Sequence, residues 1–309
     1  MPAKIVLTGA AGLLGQNLLK RLDVPGNEIV AIDKHVAKMK VLRRYHPGVE
    51  AICADISQPG EWEEALACAD VLIIGQAQIG GLDYAEFDRN NIEATVRLID
   101  AAKRHDIEYI VHISSSVVNS MAVDFYTETK KAQEALVAAC DIPQIVLRPT
   151  LMFGWFDRKH MGWLSRFMKK SPVFPVPGDG RYLRQPLYVA DFAAIIDAAI
   201  QKRMTGTYNI TGQERIDYID LMRAVKRATK ARSAIVRVPY WSFWLMLKSY
   251  GLLGRNPPFT IKQLKALITP DIFEVIDWPG IFGVRATPLQ QALDETFGDP
   301  TYSQVALEF

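Results

Sequence analysis

The sequence predicts an α/β protein, a doubly wound parallel sheet followed by a smaller, mostly helical lobe. Short apolar runs alternate with helical patterns through the first half of the chain. Most of these runs are continuous rather than alternating, as expected of strands covered on both faces. A glycine-rich turn stands between the first run and the first helical pattern, where a βαβ unit begins.

In order, residues 5–8, 29–33, 50–53, 71–74, 109–113 and 145–148 read as strands, and 13–22, 61–68, 87–104 and 124–139 carry helical periodicity. After Thr150 the rhythm breaks. Gly, Pro, Trp and basic residues crowd 153–180, including Ser171-Pro-Val-Phe-Pro-Val-Pro-Gly178. A helix over 187–200 and a strand over 208–211 are expected to rejoin the sheet, and the chain from Asp217 on is mostly helical and aromatic. The expected division is a dinucleotide-binding domain at 1–152, rejoined by 187–212, and a substrate-binding lobe at 153–309.

At 309 residues the chain can bury a sizeable core. Apolar residues make up 49% and charged ones 23%, the balance of a soluble globular enzyme. A net charge of +2 gives no argument for nucleic acid. Cys53, Cys68 and Cys140 have no metal-ligand spacing, so no metal is expected. The first strand starts at once, leaving no room for a signal peptide, and no apolar run approaches the ~18 residues of a membrane span. The expected location is the reduced cytoplasm.

Thr8-Gly-Ala-Ala-Gly-Leu-Leu-Gly15 has the spacing G-x-x-G-x-x-G, with Gly9, Gly12 and Gly15 at positions where Cβ atoms would block a phosphate or the helix–strand contact. The N–H groups of Leu13 and Leu14 open the helix that would face a pyrophosphate. Asp33 closes the second strand, where an acid can bond a ribose 2′-OH and repel a 2′-phosphate, which favours NAD over NADP. Asp55, followed by Ile56, stands where it can accept from an adenine amino group or cap its own loop.

The reacting chemistry is read from Tyr126-Thr-Glu-Thr-Lys130, preceded by Ser114-Ser-Ser116 at a strand end. A free tyrosine, with its pKa near ~10, is a poor base at neutral pH. A lysine four residues on shares its helical face and is expected to lower that pKa. Ser115 can hold the substrate oxygen, and Asn91 can orient a water or the lysine.

Together with Leu147-Arg148-Pro149, these residues resemble the extended short-chain dehydrogenase/reductases, and within them the NAD-dependent epimerase/dehydratases acting on nucleotide sugars. The resemblance runs from residue 4 to about 215. Asn91-Ile-Glu-Ala-Thr95 is similar to the family's N-V-x-G-T helix with Ala94 for its glycine. Gly178-Asp-Gly180, Arg184 and Tyr188-Val-Ala-Asp191 are similar to its later G-x-G…R…Y-V-x-D stretch. The resemblance implies a Rossmann-type seven-stranded sheet, NAD as cofactor, and a catalytic set of Ser115, Tyr126, Lys130 and Asn91. It also implies Arg184 on a substrate diphosphate, with Ser116 beside the substrate, and a homodimer.

The implied reaction starts with Tyr126 taking a hydroxyl proton as hydride leaves the sugar carbon, and ends with its return to the other face. Sugar 4,6-dehydratases carry an Asp-Glu pair where this chain has Ser116-Val117, so dehydration is disfavoured. Neither His112 nor Cys140 is placed to invert a carbon next to the ketone. Gly75-Gln-Ala-Gln-Ile-Gly-Gly81 and Asn119-Ser120 also depart from the family pattern, and both border the reacting end.

In the substrate lobe, Arg158, Lys159 and His160 follow a strand end, where Arg158 can pair with phosphate oxygens. The aromatic stretch 239–254 reads as a buried lid or core helix, with peripheral membrane contact as its second reading. Residues 259–267 read as a solvated amphipathic helix. The leading expectation is a sugar-nucleotide epimerase. Behind it stand a dehydrogenase or reductase of a less polar alcohol (a steroid, terpenoid or lipid) and a non-catalytic dinucleotide-binding subunit.

Overall fold

The structure, a computed structural model, describes residues 3–121, 123–157, 160–252 and 273–305. Strands β1 (Lys4–Thr8), β2 (Glu28–Asp33), β3 (Glu50–Cys53), β4 (Val71–Ile74), β5 (Tyr109–Ile113) and β6 (Gln144–Pro149) pair in parallel. The chain then leaves the sheet through short strands β7 (Met152–Phe153), β8 (Val173–Pro177), β9 (Leu183–Arg184) and β10 (Leu187–Tyr188), and returns as β11 (Gly206–Ile210) beside β6. The resulting order is β11-β6-β5-β4-β1-β2-β3, a doubly wound sheet of seven strands.

The apolar runs are continuous because alternate residues enter different layers, each covered by helices. Ile5 and Leu7 of β1 join one core with α1 (Leu13–Leu22), α2 (Val36–Tyr45) and α7 (Val189–Lys202), while Val6 joins the other. That second core includes α4 (Ala94–Arg104) and the end of α5 (Phe125–Ala138). The same split separates Tyr109, Val111 and Ile113 from Ile110 in β5.

Three expectations change. Residues 61–68 form only a 3₁₀ turn over Glu61–Leu66, after which Cys68 takes a left-handed φ of 59°. The helix expected at 87–104 is interrupted: after α3 (Tyr84–Phe87), a π-turn over Asp88–Glu93 precedes α4 and carries Asn91. Helix α2 was not anticipated, because only Lys38, Met39 and Leu42 of its residues are buried and the apolar stripe is thin.

The smaller lobe packs α6 (Met161–Lys170), α8 (Tyr218–Thr229) and a helix at Leu289–Gly298 around Phe153, Met168, Phe174, Met222 and Leu293. It is less purely helical than expected, since β8 pairs with β13 (Ala234–Val238) and β9 with β12 (Ile216–Asp217). In the aromatic stretch, helix α9 (Tyr240–Leu252) buries Phe243 against Val238 and Trp244 but leaves Trp241 69% and Leu245 53% exposed. This end of it is therefore not a buried core helix. The helix expected at 259–267 lies outside the described residues. Among the described residues, no helix is long and apolar enough to cross a membrane.

His112 of β5 is fully buried with no partner for either ring nitrogen, and burial, aided by the Lys130 charge, holds it well below its usual 6.5. The unfolded chain takes up a proton at His112 that the folded chain refuses, so stability present above pH 6.5 is lost as pH falls below it. Unfolding free energies from urea titrations should therefore drop between pH 6.5 and pH 5, by up to ~1.4 kcal/mol per pH unit from this group. His112→Leu should flatten that slope; an unchanged slope would assign it to other groups.

Candidate active site

The first βα turn is built for close approach. Gly9 sits at φ +66°, and a Cβ there would lie 2.8 Å from the Gln76 backbone. A Cβ on Gly15 would lie 2.2 Å from the Ala10 carbonyl oxygen, so helix–turn packing excludes it. At Gly12 the nearest atom to such a Cβ is 3.4 Å away, so the protein itself does not demand glycine there. The open space suits a ligand approaching the backbone. Helix α1 starts at Gly12 with no side-chain cap and no acid in its first turn, leaving the N–H groups of that turn and the helix dipole to an anion. The side chains of Leu13 and Leu14 pack with the core beneath.

Asp33 ends β2 under this turn. Its Oδ2 accepts from the Ala11 N–H (3.1 Å), and its Oδ1 accepts from the His35 N–H (3.0 Å) and faces His35 Nδ1 at 2.8 Å. Burial works to raise the carboxyl, but the hydrogen bonds from His35 and Ala11 outweigh it and hold Asp33 below the usual carboxylate range. Asp55 accepts from Ser57 N–H (3.0 Å) and Oγ (2.8 Å) through Oδ1, while Lys34 lies 3.5 Å from Oδ2. It thus shapes its own turn through Oδ1 and pairs with Lys34 through Oδ2. Ile56 is buried in the core. A carboxylate beside an uncapped helix start can hold the ribose and pyrophosphate of a dinucleotide, and these groups fit NAD.

The candidate reacting residues meet at the end of β5 and the start of α5. Asp124 caps α5 by accepting from the Thr127 N–H (3.0 Å), which sets Tyr126 in the first turn. The Ser115 hydroxyl accepts from the Val117 N–H (3.4 Å) and favours the ionised form of the nearby Tyr126 phenol, and Ser116 is buried in the next turn. One turn on, Lys130 is fully buried, donating from Nζ to the Ile113 carbonyl (2.9 Å) and to Gln133 Oε1 (2.5 Å). Burial pushes Lys130 down to about 7, against the pull of the Glu134 carboxylate.

The expected lowering of Tyr126 is not seen. Burial pushes its phenol above the usual 10, the nearby Ser115 hydroxyl opposes this, and the Asp124 carboxylate adds to it. Lys130 gives its protons to Ile113 and Gln133 instead. Asn91 also differs from expectation. Its Oδ1 accepts from the Gln78 N–H (2.7 Å) and its Nδ2 donates to Thr129 Oγ1 (3.0 Å), so it pins the segment after β4 to α5. Arg184 is buried, donating to the Leu183 carbonyl (2.8 Å), with its guanidinium 5.3 Å from the Tyr182 ring. Arg158 lies outside the described residues.

Sequence reasoning missed Glu134, which accepts from Ser114 Oγ (2.5 Å) and pairs with Arg148, tying α5 to the ends of β5 and β6. Its spacing, four residues beyond Lys130 on one helical face, was the available signal. Among the described residues no cluster suits a metal ion.

Fold and site are those of a dinucleotide-binding α/β enzyme. The chain belongs to the NAD-dependent epimerase/dehydratase family, which it matches over residues 5–211, and NAD is that family's cofactor. It is similar to a ceramide reductase of Caulobacter vibrioides, 24% identical over 245 residues that cover 76% of this chain and 73% of the relative. A 2-alkyl-3-oxoalkanoate reductase of Stenotrophomonas maltophilia is 27% identical over 306 residues, 86% of this chain and 90% of that protein. The crystal structure of UDP-glucuronic acid 4-epimerase from Bacillus cereus in complex with NAD superposes with a TM-score of 0.71 at 22% identity, covering 96% and 97% of the two chains.

Replacing Asp33 with Ala should narrow the preference for NAD over NADP about tenfold, ~1.4 kcal/mol, as read from calorimetric dissociation constants. Unchanged discrimination would move the ribose contact elsewhere.

Proposed function

We propose that the chain is an NAD-dependent sugar-nucleotide epimerase. The observation that carries this reading is the meeting of Ser115, Tyr126 and buried Lys130 at the sheet edge that also holds the uncapped α1 turn and Asp33. NAD, when bound there, supplies a hydride acceptor and donor. Tyr126 moves the substrate hydroxyl proton, Ser115 holds the same oxygen, and Lys130 in its charged form favours the phenolate. Asn91 fixes the segment after β4 against the reacting helix. Arg184 takes the substrate diphosphate through its guanidinium. The reading includes the two-part division at residue 152, a cytoplasmic location and a homodimer.

A second reading has a specific observation behind it. Leu82 is fully exposed, Met121 is 94% and Val123 86% exposed, and Ile79 is also exposed. Their two segments meet where Tyr84 packs on Phe125, the neighbour of Tyr126, at 5.4 Å between ring centroids. An apolar rim beside the proposed base suits a ketone or alcohol on a hydrocarbon chain better than a sugar. The raised Tyr126 phenol also suits proton donation in ketone reduction. The names of the two reductase relatives point the same way.

Two assays separate the readings. UDP- and GDP-sugars should yield 4-epimers without net change in NADH, whereas the reductase reading requires NADH consumption in step with long-chain ketones. Tyr126→Phe should lower whichever turnover is found by roughly 10²–10⁴ while NAD binding persists. No epimer from either sugar panel with NAD-loaded protein would overturn the leading reading.

A further inference from the structure

Lys130 is fully buried, and its surroundings are unusually specific. Its ammonium has three protons, of which Ile113 O and Gln133 Oε1 take two. The third exists only while the lysine is charged, and it is the one available to a phenolate or a cofactor hydroxyl.

Gln133 is itself fully buried, and its amide can point only one way. Thr95 Oγ1 donates its single proton to the Asn91 carbonyl (2.7 Å), so toward Gln133 it can only accept. Gln133 therefore gives its NH₂ to Thr95 (2.9 Å) and turns its carbonyl to Lys130. The line continues outward. Gln76 Nε2 reaches the same Thr95 oxygen (3.4 Å), and Gln76 Oε1 lies 2.5 Å from Thr8 Oγ1. Thr8 is the last residue before Gly9.

We propose that Gln133 is a positioning residue for Lys130, and that the hydrogen-bonded line through Thr95 and Gln76 couples the lysine to the strand end beneath the glycine turn. Gln133 favours the charged form of Lys130 and holds its third proton toward the reacting side. This rests on the catalytic reading of Lys130 given above. The other charges facing the lysine are Glu134 on its own helix, paired with Arg148 of β6, and His112 of β5, kept neutral by burial. Tyr126 stands one turn before it. From α4 and its π-turn come only the uncharged Thr95 and Asn91.

The test is a titration of Lys130 Nζ by NMR in lysine-¹⁵N-labelled protein, assigned with Lys130→Met. It needs no substrate, so it stands apart from the enzymatic reading. Wild-type Lys130 should titrate near 7. Gln133→Glu should raise its proton affinity about tenfold or more, and Gln133→Met should lower it by a similar factor. The alkaline limb of NAD-dependent turnover should follow each shift. Thr95→Val, which frees the Gln133 amide to rotate, should act in the same direction as Gln133→Met, and Thr95→Ser should restore the wild-type titration. If a Gln133 variant fails to fold, the Thr95 pair provides the same reading. Folded variants whose Lys130 titration stays in place would overturn the proposal. A shifted titration in a protein that turns over nothing would leave the positioning role standing and sink the catalytic one.

Discussion

Seven parallel strands covered on both faces impose one condition on everything polar in this molecule. Each strand must be followed by a crossover, and each strand's carboxyl end leaves the sheet at the same edge. Groups that cannot enter either apolar layer collect there. The glycine turn follows β1, Asp33 ends β2, Gln76 follows β4, Ser115 follows β5 and Arg148 lies near the end of β6. Residues distant in sequence become neighbours through strand order, as when Asp33 accepts from the Ala11 amide across the β1–β2 pair. The helices start at this edge as well, so α1 and α5 bring their N-terminal turns to it.

Burial then sets the charge states at that edge. Tyr126 rests as a neutral phenol and Lys130 lies near neutrality in its affinity for protons, both because desolvation outweighs their partners. Glu134 and Arg148, only partly buried, keep their opposite charges and bind α5 to the sheet. The site thus combines a partly exposed charged clasp, Glu134 with Arg148, and a fully buried lysine held by Gln133 and, through it, Thr95.

Much of this was legible in the residues themselves. Strand positions follow from runs such as Val71-Leu-Ile-Ile74, and the span 13–22 coincides with α1 because glycines close its start. Helix α2 escaped because few of its side chains are buried, and the π-turn at 88–93 escaped because it shares the helical apolar spacing around it. Distances along a sequence do not report depth. The Tyr126–Lys130 spacing put both on one face but could not reveal that the lysine is buried and bonded to Ile113. Gln133 and Thr95 carry no motif at all, and only their mutual geometry marks them. The apolar rim near Tyr126 is equally silent in sequence, since exposed Leu82 and Met121 look like any loop residues until their solvent contact is known.

In the proposed epimerase cycle this edge holds NAD through hydride removal and return. Denaturing the purified protein and identifying the nucleotide it releases tests this most directly. The account predicts NAD close to one per chain, with a fraction as NADH. Release of NADP would contradict the role given to Asp33, and a protein that releases no nucleotide would contradict a cofactor retained through turnover.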